Sequence, residues 1–260
     1  MVGNGEVLKM RIATYNIWES DRGMPERYVT LIDTIRAVNA DILCLQEISD
    51  YETFDELSVL CGYEGGHWNS EYGVGIFTNH TVTRIGTMEY GICANIDVNG
   101  TNIFIINLHL PWRSALKREE LIVDMIESAK CFGGDYSFVV GDFNCSVNSS
   151  VHRYLKGDQS LLGSDAYFVD LAEAYAEIIG AEPKATLNVR ENPRYKDTCG
   201  NSTNTIEINQ RYDRILMKNP FPKAYPILKR CDIFGTEIFE ATGLCPSDHY
   251  GVFADLEIGS

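Results

Sequence analysis

The amino-acid sequence predicts an α/β fold in which two packed mixed β-sheets are covered by helices. Three observations support this: apolar runs of strand length, amphipathic segments with helical periodicity between them, and a strong hairpin signal at Asn99-Gly100. The chain has 260 residues, contains no internal repeat and is long enough to bury a large core, so we expect a single domain over residues 1–260.

The first part of the chain predicts a strand–helix–strand unit followed by a second helix. Residues 7–17 and 41–48 have the apolar composition of buried strands. Between them, Pro25 suits a first helical turn, and the apolar residues that follow recur at helical spacing. The second helix is expected over residues 52–61, because Gly62 is a typical stop signal.

The remaining elements alternate between short strands and helices. Residues 74–110 predict short strands, and Asn99-Gly100 predicts that two of them pair antiparallel. A long helix is expected over 115–132 and a strand over 136–144. A further helix fits 170–179, and two last strands fit 211–218 and 249–257. Residues 181–210 are polar and irregular, and a loop of this length is where we expect substrate contacts.

The charge of the chain is unevenly distributed. The net charge of -15 opposes non-specific adhesion to nucleic acid, but residues 184–230 carry ten Lys or Arg against four acids, which makes that segment +6 and the remainder -21. The aromatic residues Tyr195, Tyr212, Phe221 and Tyr225 are interleaved with these cations. This composition is typical of a groove that tracks phosphates and stacks bases, and it equally fits a solvated loop with core aromatics.

Cysteine usage and hydropathy bear on the compartment. The eight cysteines contain no Cys-x-x-Cys pair, so we expect reduced thiols and no metal–thiolate site. No apolar run approaches the ~20 residues that span a bilayer, and the first residues lack the pattern of a secretory signal. We therefore expect a cytoplasmic or nuclear protein that is monomeric and not associated with membranes.

Six short polar motifs carry the chemistry. Each is interpreted as terminating or following an apolar run, so that the polar groups surface together and converge on one pocket. Their side chains are rich in oxygen, which suits a hard cation and a phosphate. In chain order they are Tyr15-Asn16, Gln46-Glu47, Asn107-Leu108-His109, Gly141-Asp142-Phe143-Asn144, Tyr212-Asp213-Arg214 and Ser247-Asp248-His249.

Individual motif residues allow more than one interpretation. Glu47 ends an apolar run, so its charge needs compensation by a divalent cation or, more simply, by a cap or salt bridge. Asp142 and Asn144 flank Phe143 and would share one face of a strand, where a carboxylate can deprotonate water and an amide can hold it. The same four residues also fit a turn.

Two histidines in the motifs suit phosphate chemistry. His109 and His249 can each donate a hydrogen bond to the charge that develops on a phosphoryl oxygen, although a lone histidine is more often a core residue. An imidazole in this role needs an acidic partner that keeps it oriented and protonated. Asp213 is the candidate partner of His249.

In this order, the motifs resemble the endonuclease/exonuclease/phosphatase superfamily over residues 16–249. The resemblance implies a four-layered α/β sandwich and hydrolysis of a phosphate ester that depends on Mg²⁺, with Mn²⁺ as an alternative. It implies that Glu47 is the principal metal ligand and that Asn16 and Asp248 complete the metal and phosphate environment.

The same resemblance implies the catalytic roles. Asp142 would activate the water, and Asn144 would orient it or bind the phosphate. His109 and His249 would stabilise the transition state, with Asp213 paired to His249.

Within the superfamily, residues 211–218 and 245–256 look most like the 5′-tyrosyl-DNA phosphodiesterases, and residues 192–198 are a weaker match. Trp18 departs from the pattern, since many relatives place an aspartate there. The resemblance implies a magnesium-dependent phosphodiesterase that acts on nucleic-acid ends, such as a single-stranded end or a 5′-phosphotyrosyl adduct. The alternatives are a general or abasic-site endonuclease, an inositol or sphingolipid phosphodiesterase, and a catalytically silent scaffold.

Five residues are candidates for substrate binding. Three follow His109 and two lie in the basic segment, and a solvated basic face at a helix N-terminus explains the cations after His109 equally well. The candidates are Trp112, Arg113, Arg118, Tyr195 and Arg211.

Overall fold

The computed structural model describes residues 7–196, 201 and 206–259. In chain order, the strands are β1 (Leu8–Asn16), β2 (Ile42–Gln46), β3 (Gly65–Asn69), β4 (Val74–Thr78), β5 (Thr81–Met88), β6 (Gly91–Val98), β7 (Thr101–His109), β8 (Tyr136–Asp142), β9 (Phe168–Asp170), β10 (Asp213–Lys218), β11 (Ile227–Phe234) and β12 (Gly251–Ile258). The helices are α1 (Glu26–Val38), α2 (Tyr51–Cys61), α3 (Ala115–Ala129), α4 (Ser150–Lys156) and α5 (Leu171–Ile179).

The strands form two six-stranded mixed sheets. The first has the order β11-β12-β1-β2-β4-β3 and the second the order β5-β6-β7-β8-β10-β9. Each contains one parallel pair with a helix in the connection, β1 with β2 through α1 and β7 with β8 through α3. The hairpin predicted at Asn99-Gly100 is confirmed, because Val98 pairs with Thr101 across it.

Alternation of side chains along the strands builds the four layers. Ile12 of β1 and Ile105 of β7 face the core between the sheets, whereas the next residue along each strand faces outward. The outer face of the first sheet packs on the apolar stripe of α1, including Leu31. The outer face of the second packs on α3 and α4, including Leu121 and Tyr154. The predicted α/β four-layered sandwich is confirmed.

Some elements escaped prediction. The strands β3, β9 and β11 and the helix α4 were not expected, and α3 ends at Ala129, three residues before the predicted end. β9 has only three residues and α4 seven, which is too short for a clear periodic signal. β11 is an edge strand whose exposed cations interrupt the apolar pattern.

The polar motifs gather at one edge of the sandwich for a topological reason. β1, β2, β7 and β8 reach this edge with their carboxyl ends. β10 and β12 run antiparallel to β8 and β1, so they start at the same edge. The expectation that every motif terminates or follows an apolar strand is therefore wrong for two of them, since Asp213 begins β10 and His249 precedes β12.

Two further findings concern the expectations about compartment. The seven cysteines among the described residues are unpaired, and Cys199 lies outside that part of the chain. Within the described ranges, no helix combines the length and the apolar character needed to cross a bilayer.

Candidate active site

The amide of Asn16 joins two carboxylates that come from different sheets. Its Nδ2 donates to Oε1 of Glu47 at 2.9 Å and to Oδ2 of Asp142 at 3.1 Å. Its Oδ1 accepts the backbone N–H of Trp18 at 3.0 Å. Two carboxylates require a donor and a backbone N–H requires an acceptor, so these contacts determine which way the amide faces. Asn16 is thus placed as a clamp on the two acids, and its expected part in the metal and phosphate environment stays a prediction.

Glu47 lies just beyond β2 in an unusual backbone conformation. Its φ is +64°, in the left-handed region that a non-glycine residue seldom adopts. Its second oxygen accepts the backbone N–H of Glu19 at 2.7 Å, and its side chain remains about a quarter exposed. The carboxylate is therefore held in place yet accessible from the cleft.

Asp142 is placed by the close approach of β7 and β8. A Cβ on Gly141 would lie 2.0 Å from the carbonyl oxygen of Leu108, and its φ is +128°, so only glycine fits. The parallel register puts Asp142 opposite His109. The carboxylate is almost fully buried, and donors surround it.

Asn144 lies outside the strand, so the expectation that it shares a strand face with Asp142 is wrong. β8 ends at Asp142, and Asn144 has a φ of +47°. The turn nevertheless keeps the two residues together, because the Asn144 N–H donates to Oδ1 of Asp142 at 2.8 Å. The Asn144 amide donates to the carbonyl of Leu110 at 3.0 Å.

Both motif histidines reach this group of acids. Nε2 of His109 lies 3.7 Å from Asp142 and 3.9 Å from Glu47. Nδ1 of His249 lies 2.9 Å from Oδ2 of the buried Asp213 and 3.9 Å from Asp142. Burial alone would lower the pKa of His249, but Asp213 and Asp142 outweigh it and raise the pKa well above its usual range. The predicted pair of Asp213 and His249 is present, and it favours the charged imidazolium.

A divalent cation fits the excess of negative charge in this group. Asp248, of which 16% is exposed, is close enough to Glu47 and Asp142 for their charges to act on its carboxyl group. Burial raises its pKa, and the charges of Glu47 and Asp142 add to this, while His249 opposes it. The carboxylates of Glu47, Asp142 and Asp248 supply only oxygen donors, which is the donor set preferred by Mg²⁺ and Mn²⁺.

A buried polar clamp links the two sheets beneath the site. Nε2 of Gln46 donates to Oδ1 of Asn107 at 2.7 Å and to Thr14 at 3.0 Å. Nδ2 of Asn107 donates across to the carbonyls of Leu45 and Gly75 at 2.9 and 2.8 Å. Gln46 and Asn107, which precede Glu47 and His109 in their motifs, thus connect the first sheet to the second.

Arg211 does not line the cleft, so its prediction as a substrate contact requires correction. It is 8% exposed, and its guanidinium donates to Asp170 at 2.6 Å and to Glu173 at 2.8 Å. Glu173 also bonds to His152 and Lys156, and these partners lower its pKa to about 2. Since both acids belong to the start of α5, the arginine ties this helix to β10.

Arg118 is likewise engaged within the protein, because its guanidinium donates to the carbonyls of Pro111 and Trp112, both at 2.9 Å. Trp112 is 68% exposed, with the guanidinium of Arg113 4.8 Å from its ring. Trp112, Arg113, Glu47 and His109 all line a cleft of about 700 Å³. Of the three candidates after His109, two therefore face the cleft and the third supports the loop.

Sequence reasoning did not single out Arg194 as a site residue. Its Nε lies 3.9 Å from Oδ2 of Asp248, and its guanidinium lies 5.5 Å from the ring of Trp18 and 5.4 Å from that of Tyr195. The amide of Asn192 donates to the carbonyl of Asp248 at 3.2 Å, which ties this segment to the site. The available signal was Trp18, a motif neighbour that departs from the family pattern.

The described cations of the basic segment do not form a continuous groove. Several pair with acids of neighbouring elements, namely Lys184 with Asp232, Lys223 with Asp135, Lys229 with Glu257 and Arg230 with Asp232. These contacts favour the interpretation as a solvated loop and strand edge. Residues 197–200 and 202–205 of the expected substrate loop, including the end of the 192–198 match, lie outside the described residues.

Comparisons with known proteins agree with this geometry. The family model described as "Endonuclease/Exonuclease/phosphatase family" matches residues 13–249. A search of curated proteins found no significant match.

Solved structures of similar fold include TDP2 proteins. TDP2 from Caenorhabditis elegans superimposes with a TM-score of 0.72 at 17% identity, covering 96% of this chain and 75% of that chain. The D. rerio TDP2 complexed with single strand DNA product gives 0.72 at 16% identity, covering 95% and 98%. The human Nocturnin catalytic domain with bound sulfate gives 0.69 at 17% identity, covering 98% of both chains. At these identities, the similarity shows the fold alone.

Proposed function

Because the chain belongs to the endonuclease/exonuclease/phosphatase family, we propose that it is a magnesium-dependent phosphodiesterase that hydrolyses phosphate esters at nucleic-acid ends. One observation carries the proposal. A single amide nitrogen of Asn16 holds both Glu47 and Asp142, and the imidazole of His249 lies 3.9 Å from Asp142. An acid for a cation, a base for water and a cationic donor thus lie within one small volume.

The cation would be held by oxygen atoms of Glu47 and Asp248, with Asp142 close by. When bound, Mg²⁺ would neutralise negative charge on the phosphate and on the surrounding carboxylates. Asn16 contributes by fixing the Glu47 carboxylate through its amide nitrogen. Mn²⁺ shares these ligand preferences and is expected to substitute.

Asp142 is proposed to accept the proton of the attacking water. Its Oδ1 is occupied by the Asn144 N–H, and its Oδ2 is steadied by Asn16, so the carboxylate is oriented before substrate arrives. Asn144 fixes the turn that follows, through its bond to the Leu110 carbonyl. This arrangement fits activation of water better than direct attack by a protein nucleophile.

The two histidines are proposed to donate to phosphoryl oxygens. In His249, Nδ1 is engaged by Asp213, so Nε2 is the nitrogen that can donate to the substrate. The carboxylates of Asp213 and Asp142 raise the pKa of this imidazole, which favours the protonated form. His109 lies beside Glu47 and Asp142 and serves the same function. Removal of one such donor typically costs ~100- to 1,000-fold in rate.

We place the substrate among nucleic-acid ends, including 5′-phosphotyrosyl-DNA adducts. The fold shared with TDP2, one structure of which contains a single strand DNA product, supports this class. Arg194 beside Asp248 supplies a cation at the edge of the site, and Trp112 supplies an exposed aromatic ring.

The test uses a single-stranded oligonucleotide with a 5′-phosphotyrosyl group, incubated with the protein and Mg²⁺. We expect release of the 5′-phosphorylated strand, which EDTA abolishes and Mn²⁺ restores. Asp142→Asn and His249→Ala should each lower the rate ~100-fold or more. Asp255→Asn serves as the matched control, because Asp255 is a hydrogen-bonded carboxylate that pairs with Arg11 away from the site.

Failure to cleave the adduct, together with cleavage inside a circular single strand, would make the protein an endonuclease. Activity that survives EDTA or Asp142→Asn would contradict the mechanism. Calorimetric titration of the inactive Asp142→Asn protein with Mg²⁺ separates a failure of metal binding from a failure of chemistry.

A further inference from the structure

Trp112 is a large apolar side chain that is exposed on a rigid loop. Its indole is 68% exposed and lines the same cleft as Glu47 and His109, so it offers a ring face to a bound molecule. Both of the carbonyls that accept from Arg118 lie in this loop, at Pro111 and Trp112. The Leu110 N–H donates to the carbonyl of Asp142, and the Ser114 side chain caps α3. The ring is thus presented in a preorganised position immediately after the catalytic strand end.

Two tyrosines form a second aromatic part of the same cleft. Tyr72 and Tyr90 are half-buried, and their ring centroids lie 4.5 Å apart. Both belong to turns that are tied to the site: the carbonyl of Tyr90 accepts the His109 N–H at 3.0 Å, and the carbonyl of Gly73 accepts the N–H of Ile48, which follows Glu47. The turns that carry these two rings are therefore hydrogen-bonded to the segments that carry His109 and Glu47.

The charges of the cleft argue against a run of phosphates through it. Besides the proposed cation ligand Glu47, its lining includes two further glutamates, Glu19 and Glu71. The lining cation Lys117 is paired with Glu89 at 3.0 Å, and Arg113 lies over the Trp112 ring. A phosphate chain would meet carboxylates here, whereas a flat uncharged ring meets aromatic faces. The volume of about 700 Å³ accommodates one nucleoside with room for solvent.

We infer that this cleft is a nucleoside subsite, in which a base of the substrate stacks on Trp112 while its phosphate lies at Glu47 and His109. The inference rests on the proposed function and deepens it, since it assigns the uncharged part of the substrate to one side of the site. Stacking tolerates any base, because every base offers a π-face. The subsite therefore selects nucleotides over other phosphate esters without selecting a sequence.

The test compares two chromogenic diesters that share one leaving group. The p-nitrophenyl ester of thymidine 5′-monophosphate carries a nucleoside, and methyl p-nitrophenyl phosphate does not. We expect Trp112→Ala to lower the ratio of kcat/KM for the first ester over the second by about 5- to 150-fold, the usual range for loss of one stacked base. Trp112→Phe should keep the ratio within a few-fold of the native value. Phe221→Ala removes another exposed ring, beyond the far end of β10, and should leave both rates unchanged.

A binding measurement separates this inference from the proposed function. Addition of thymidine 5′-monophosphate should quench the tryptophan fluorescence of the native chain, and Trp112→Phe should abolish most of the quenching. If neither ester is hydrolysed but the Trp112-dependent quenching remains, the proposed function fails and the subsite stands. An equal loss on both esters in Trp112→Ala, or quenching that persists in Trp112→Phe, would overturn the subsite.

Discussion

The buried pair of Gln46 and Asn107 provides a quantitative test of how the site is held together. Asn107→Leu introduces an apolar side chain of similar size and removes three hydrogen bonds. Asn107 accepts one of them from Gln46 and donates the other two to carbonyls of the first sheet. Both side chains are fully buried, so water cannot replace the lost partners. With about 0.5–1.5 kcal/mol for each bond and a further penalty for the amide hydrogen of Gln46 that loses its acceptor, we expect the free energy of unfolding to fall by about 3–5 kcal/mol.

The assay is urea denaturation of the native chain, both single variants and the double variant Gln46→Leu/Asn107→Leu. The double variant leaves no stranded amide between the sheets, so it should be less destabilised than the sum of the single variants, with a coupling energy of about 1–3 kcal/mol. Asn102→Leu, a half-buried amide at the start of the same strand, should cost about 1 kcal/mol. Additive losses for Gln46 and Asn107 would refute the idea that the pair acts as one clamp.

Three further predictions concern charge and backbone. Asp213→Asn should shift the alkaline limb of the pH profile of kcat to lower pH. Asp213 helps raise the pKa of His249, and the protonated imidazole is lost as the pH rises through that pKa. An unshifted alkaline limb would exclude His249 as the donor. The pKa of Glu173 is lowered from its usual 4.5 to about 2, so the ionised carboxylate stabilises the fold above pH 4.5, and this stabilisation is lost as the pH falls from 4.5 towards 2. Glu173→Gln should therefore lower the midpoint of thermal unfolding at pH 7, and the decline of that midpoint with acid, followed by circular dichroism, should become shallower. Gly141→Ala should destabilise the protein by about 2 kcal/mol or more in thermal unfolding, since its Cβ would overlap the Leu108 carbonyl, and a wild-type midpoint would show that β7 and β8 can separate freely.

The composition of the site was predictable because its motifs are short and local. Glu47, Asp142 and His249 each stand within one or two residues of a strand end, where apolar runs signal the boundary. The pairing of Asp213 with His249 was also anticipated from chemistry, since a charged imidazole needs an acid. The position of Asn144 outside the strand was not anticipated, because its left-handed backbone conformation depends on the Asp142 carboxylate and the Leu110 carbonyl to which it is hydrogen-bonded.

The substrate-facing residues were harder to predict from cations in the sequence. Arg118 and Arg211 are arginines in suggestive positions, yet both guanidiniums are used inside the protein. Whether an arginine faces solvent or a buried acid depends on elements distant in the chain, such as Asp170 at the start of α5. Arg194, in contrast, reaches Asp248 only because its segment folds back onto the loop before β12.

The sequence by itself determined the α/β class, the family and the set of acids, amides and imidazoles at the site, because hydrophobic periodicity and short motifs are local properties of the chain. Tertiary structure alone decided that Asn16 turns its nitrogen to the acids and that Trp112, Tyr72 and Tyr90 line one cleft. These features depend on contacts between residues tens of positions apart. Such contacts are set by how the two sheets pack and leave no periodic trace in the sequence.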